Sequence, residues 1–131
     1  MKDKSGRASP SERETGGETL ARAAMAYIEA HSSEKFSLQT MAGALFVNGS
    51  YLLRAFKRCA GCTPLSYHHR VRCAKAKALL AGSDRSISEI GEITGFVSSS
   101  HFTHVFNKVE GCTPTEYRMR SRVSAERKEP L

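Results

Sequence analysis

Apolar residues recur at helical spacing along most of the chain, and short polar or glycine-containing breaks divide the pattern into segments. Over residues 19–31, Leu20, Ala23, Ala24, Tyr27 and Ile28 share one side of a helix, because positions three and four apart lie on the same face. Further on, Leu52, Ala55, Phe56 and Cys59 fall at i, i+3, i+4 and i+7, and Phe102, Val105, Phe106 and Val109 repeat that spacing. Residues 64–82 read as one long helix stopping at Gly82, with an imperfect stripe of Leu65, Tyr67, Val71, Ala74, Ala78 and Leu79. A last helix is expected from residue 114 to about residue 122. The pattern predicts an all-α chain. Its expected parts are a disordered arm over 1–18, a first lobe over 19–63, a linker helix over 64–82, a second lobe over 83–122 and a charged, frayed tail over 123–131. The arm is rich in Ser, Gly and charge and has almost nothing to bury.

The stretch at 46–67 is written again at 96–117. Phe46/Phe96, Val47/Val97, Ser50/Ser100, Phe56/Phe106, Gly61/Gly111, Cys62/Cys112, Thr63/Thr113, Pro64/Pro114 and Tyr67/Tyr117 are identical pairs fifty positions apart. Upstream the repeat continues with a slip of one residue, pairing Leu38, Met41 and Ala44 with Ile87, Ile90 and Ile93. Two copies are too few for a solenoid, which needs about three units to bury a continuous core. Two similar modules and a connector fit better. Across the copies the apolar face is kept. The outward face changes, from Ser50, Leu53, Arg54 and Lys57 to Ser100, Thr103, His104 and Asn107. Two readers of different base sequences on one scaffold need that combination, since packing is shared while each base edge requires its own donor or acceptor. Two merely solvated faces are the alternative, which the repeat weakens.

Each copy ends in Gly-Cys-Thr-Pro, at 61–64 and 111–114. Gly tolerates the left-handed conformation that stops a helix, Thr caps the next one, and Pro suits a first turn whose N–H has no helical partner. Ser86 with Glu89, and Thr113 with Glu116, have capping-box spacing.

With these residues in view, the chain resembles the DNA-binding domain of the AraC/XylS transcription regulators, over about residues 20–122. Residues 87–118 are similar to that family's second helix-turn-helix, and 52–58 with the connector at 70–80 to its first. The resemblance implies seven helices, with two helix-turn-helix lobes on a long linker helix and recognition helices entering successive major grooves on one DNA face. It implies a sequence-specific regulator of double-stranded DNA, an activator, with an asymmetric site of about 20 base pairs. Base contacts carried over by position are Ser50, Leu53 and Arg54 in the first lobe and Ser99, Ser100, His101, Thr103 and His104 in the second. Lys57 and Asn107, one turn further along, are expected on phosphate. RNA polymerase and a separate or missing ligand-sensing domain are the further partners implied. This sequence departs from the family at Phe46, where a turn Gly is usual, at Val47, where an aromatic is common, and at His104, where Arg is frequent.

Charge sharpens the picture. The formal net charge is +7 and the pI near 9.5. Over residues 51–85 the basic residues Arg54, Lys57, Arg58, Arg70, Arg72, Lys75, Lys77 and Arg85 face Asp84 alone, eight minus one, which equals the whole excess. That region is expected to carry most of the attraction to phosphate. Cys59 and Cys62, with His68, His69 and Cys73 downstream, have zinc-like spacing, but Cys59 falls on the apolar stripe and no metal or other cofactor is expected. No nucleophile with an orienting base, carboxylate pair or phosphate-binding glycine loop occurs, so an enzyme is not expected. No apolar run is long enough to span a membrane, the N-terminus lacks a signal-peptide core, and a cytoplasmic location is expected. A DNA-binding module of a recombinase, repair or architectural protein, and a zinc-stabilised interaction domain, are the competing classes.

Overall fold

Seven helices and no strand make up residues 16–128, the part of the chain that the computed structural model describes, with side chains described through residue 125. They are α1 Gly16–Ala30, α2 Leu38–Ala44, α3 Gly49–Ala60, α4 Pro64–Gly82, α5 Ile87–Ile93, α6 Ser99–Glu110 and α7 Pro114–Lys128. The all-α expectation with seven helices is met. Two bounds differ from the sequence reading: α1 begins at Gly16, inside the stretch expected to be disordered, and α7 continues to Lys128, past residue 122. The rest of the expected arm, residues 1–15, lies outside the described residues.

Local chemistry sets the helix ends. Ser37 accepts from the Thr40 amide, Asn48 from those of Ser50 and Tyr51, and Ser98 from that of His101, each satisfying donors that a helix start leaves open. Ser86 and Glu89 form a reciprocal capping box, as do Thr113 and Glu116. Gly61 and Gly111 close α3 and α6 at φ +79° and +82°.

The chain forms two compact units. One takes the described residues of Met1–His31 and Phe36–Tyr67, the other those of Ser32–Lys35 and His68–Leu131. The division falls inside α4, not at its ends. In the first unit Leu20, Ala24 and Ile28 of α1, Met41 of α2 and Leu52, Ala55 and Phe56 of α3 are buried. Fully burying a side chain of the Leu or Phe type contributes about 1.5–3 kcal/mol. The Tyr67 ring meets Phe56 edge to face, and its hydroxyl donates to Glu29. That bond, with burial, pushes the phenol up to about 12.

The second unit packs Cys73, Ala76, Leu80, Ile90, Phe96, Phe102, Val105, Phe106 and Cys112 into one core. On α4 the buried positions are Pro64, His68, Arg72, Cys73, Ala76 and Leu80, whereas Leu65, Ala74 and Ala78 of the expected stripe are exposed. The stripe was misread because two polar residues take core positions. His68 Nε2 and Arg72 Nε both donate to the Ser32 carbonyl, at 3.0 and 2.6 Å, and Arg72 also reaches the Glu34 carbonyl at 2.7 Å. Buried polar groups persist where they find such partners. These bonds tie the segment Ser32–Lys35 to α4.

The two helix-turn-helix motifs match with a slip that the structure localises. α2 and α5 correspond at an offset of 49, α3 and α6 at 50. Phe46 and Gly95 both take positive φ, +59° and +99°, and both donate to the carbonyl three residues back. Val47 and Phe96 next donate five residues back, to Ala42 and Gly91. Phe46 therefore matches Gly95, Val47 matches Phe96, and Val97 is the extra residue. The identities Phe46/Phe96 and Val47/Val97 are not structural equivalences: Phe46 is 94% exposed, while Phe96 is 6% exposed.

Candidate nucleic-acid interface

The buried face of each second helix decides what remains outside. With Leu52, Ala55 and Phe56 inward, α3 exposes Ser50, Arg54 and Lys57, with Leu53 half-buried. With Phe102, Val105 and Phe106 inward, α6 exposes Ser99, Ser100, His104 and Asn107, with Thr103 half-buried. Ser99, Ser100, Thr103 and His104 line a shallow depression on α6. The sequence-predicted residues thus gather in two groups, one on each helix. Cys59 and Val109 extend neither core. Both are exposed, although they fall on the apolar stripe of their helices.

His101 stands apart from the other candidates. It is half-buried, and its ring lies edge-on to Phe96 at 5.6 Å and to His69 at 6.3 Å between centroids. Its Nδ1 is buried and has no hydrogen-bond partner among the described residues.

The basic excess is more dispersed than the count of residues 51–85 implies. Arg72 is buried and its guanidinium lies 5.3 Å from the centre of the Phe96 ring, a cation over an aromatic face. Lys75 donates to the Ser32 hydroxyl, and Lys77 pairs with Glu110 at 3.1 Å. Arg54, Lys57, Arg58, Arg70 and Arg85 are exposed. Burial, then the neighbouring charge of Arg72 and of His69, lowers the His68 pKa to about 4. His69 is lowered too, by burial first and then by Arg72, His101 and Lys108.

Sequence reasoning missed two positioning arginines. Arg72 ties down the Ser32–Lys35 segment, and Arg118 donates to the carbonyls of Leu80 and Ser83, closing the end of α4. Arg122 adds an ion pair with Asp84 at 2.8 Å. Their long spacing from their partners leaves no local signal. Among the described residues no three His, Cys, Asp or Glu side chains converge to hold a metal, and burial pushes the Cys73 thiol up to about 12. No helix among the described residues is long and apolar enough to cross a membrane.

Two helix-turn-helix motifs, each presenting a polar face over a shared packing scheme, define a DNA-binding domain of the helix-turn-helix class. Known proteins agree. The profile of the family described as "Helix-turn-helix domain" matches residues 41–120. The transcriptional activator RhaS of Enterobacter sp. is 36% identical over 72 residues, covering 55% of this chain and 26% of that protein. The C-terminal domain of AraT, a response regulator from Geobacillus stearothermophilus, superposes with a TM-score of 0.75 at 30% identity, over 82% of this chain and 88% of that one. The DNA-binding domain of AdpA, solved with a target DNA, gives 0.73 at 28% identity, over 80% and 94%. The chain belongs to the AraC-type helix-turn-helix family of DNA-binding transcription regulators. It spans between about a quarter and a third of the length of the curated relatives it matches, 26% to 32%.

Proposed function

We propose that the chain is a sequence-specific regulator that reads double-stranded DNA with α3 and α6 in successive major grooves of an asymmetric site. The supporting observation is the contrast between the copies: Leu52, Ala55 and Phe56 match Phe102, Val105 and Phe106 in burial, while the outer faces share almost nothing. In this reading Ser50, Leu53 and Arg54 address bases of one half-site, and Ser99, Ser100, Thr103 and His104 those of the other. Arg54 is the strongest base contact, since a guanidinium takes guanine bidentately. Lys57 and Asn107 meet phosphate. The activator name of RhaS supports activation as the direction of control, and in this reading the chain works in the cytoplasm with RNA polymerase as its partner.

Selection of duplexes from a random library by the 131-residue chain tests this. The expected product is a site of about 20 base pairs with two unlike halves about one helical turn apart, bound by one chain. A palindrome bound by two chains, or no sequence preference at all, refutes it.

A further inference from the structure

Beside the DNA contact expected of it, the half-buried His101 has surroundings that suggest a further task. It is the third residue of α6, where its amide is held by Ser98. Its ring is clamped between Phe96, from the turn before α6, and His69, from α4. Phe96 in turn carries the Arg72 guanidinium and tilts against Phe102 at 4.9 Å. The first turn of α6, which presents Ser99 and Ser100, is therefore positioned through a stack of rings seated on α4.

We propose that His69 is a positioning residue for the second recognition helix, holding the His101 ring against Phe96 so that α6 docks on DNA only while the His69 imidazole is uncharged. The proposal rests on the reading of α6 as a DNA-contacting helix. The charged groups acting on His69 are all cationic: Arg72 on its own helix, His101 and Lys108 on α6. His68, one residue before it, responds to His69 in the same sense. Glu34 and Lys35, on the segment tied to α4, have exposed side chains. A proton on His69 therefore adds charge 6.3 Å from the His101 ring and beside Arg72 and Lys108, and moving the His69 ring away from those cations relieves the repulsion and frees the His101 ring. Moving His101 moves the turn it belongs to.

The experiment compares the native chain with His69→Gln on the selected duplex and on the same duplex with its second half-site scrambled. The ratio of the two affinities isolates the second half-site. From about pH 8 to about pH 5, the native ratio is expected to stay level through the ordinary histidine range and then to fall by up to about tenfold per pH unit once His69 takes its proton below that range. In His69→Gln the ratio should match the native value at the upper pH and lose most of this dependence. Equal profiles in the two proteins overturn the proposal, as does a loss of the native ratio that coincides with unfolding followed by circular dichroism. Should no duplex be selected, the DNA reading of α6 fails, and the free chain still decides the ring pairing by nuclear magnetic resonance. His69 is then expected to titrate below its ordinary value, to move up in His101→Gln, and to shift the amides of residues 99–102 as it titrates. Amides that ignore the His69 titration refute the pairing.

Discussion

The two helix-turn-helix motifs make the same turn with different residues, and the difference shows what each is built against. At Gly95 a Cβ would lie 2.4 Å from the Ser33 carbonyl oxygen, so the φ of +99° and the close backbone approach both require glycine. At the matching Phe46 the backbone is also left-handed, yet the side chain is 94% exposed. The second turn is built against the Ser32–Lys35 segment, and the first projects its side chain into solvent. Downstream, Arg54 on α3 is matched by His104 on α6, and Lys57 by Asn107. The first motif carries the permanent charge on its outer face. The second surrounds its helix start with imidazoles.

The largest expected effect attacks the turn. Gly95→Ala should destabilise the second unit by roughly 3 kcal/mol or more, combining a left-handed backbone cost with overpacking against Ser33. Denaturant unfolding measures it. A loss under about 1 kcal/mol would mean that the turn relaxes away from the segment.

The reading faces come next. Arg54→Ala should cost about 1–3 kcal/mol in DNA affinity and relax base preference at one position of the first half-site, as measured on a panel of single-base variants. His104→Ala should cost less. Uniform weakening across all bases by Arg54→Ala would make Arg54 a phosphate contact. At the neighbouring pair, Lys57→Ala should reduce the log–log salt slope by about one, while Asn107→Ala leaves it unchanged.

A third contrast lies in the helices that follow each motif. The fifth residue of α4 is the buried His68, and the fifth of α7 is Arg118. Unfolded, His68 takes its proton near pH 6.5, whereas in the fold it does so only near 4. The unfolded state therefore binds more protons between those values. The stability that neutral His68 contributes is fully present above 6.5, declines as pH falls and is lost below about 4. Between about pH 7 and 5 the loss should be at most roughly 2 kcal/mol. Urea midpoints across that range should fall, and His68→Leu should flatten the slope. A midpoint indifferent to pH would show that His68 is not held neutral.

The smallest effect is a gain. Phe46→Gly should remove a left-handed cost of about 1–2 kcal/mol and add about 0.5–1 kcal/mol of chain entropy, raising stability by about 1 kcal/mol or less. Thermal unfolding reads it. A marked destabilisation would reveal packing by Phe46 that its exposure contradicts.

Much of this was legible in the residues. The caps at Ser86 and Thr113, the stops at Gly61 and Gly111 and the inward triplets of α3 and α6 act within one or two helical turns, so periodicity and spacing suffice to find them. The outward candidates followed, because fixing the inward face fixes the opposite one. His101 did not separate from its neighbours, since nothing local tells a ring on the face's edge from one in the open.

Tertiary structure decided the rest. The chain by itself determined an all-α fold, the helix ends marked by Ser86, Thr113, Gly61 and Gly111, and two unlike polar faces on a repeated apolar scheme. Only the folded structure placed the register slip at Val97, put His68 and Arg72 in core positions and seated His101 on His69. The bonds responsible join residues 36 and 40 positions apart. A buried imidazole or guanidinium is stable there because the Ser32 carbonyl, remote in sequence, accepts its hydrogen bond once the segment Ser32–Lys35 is tied to α4.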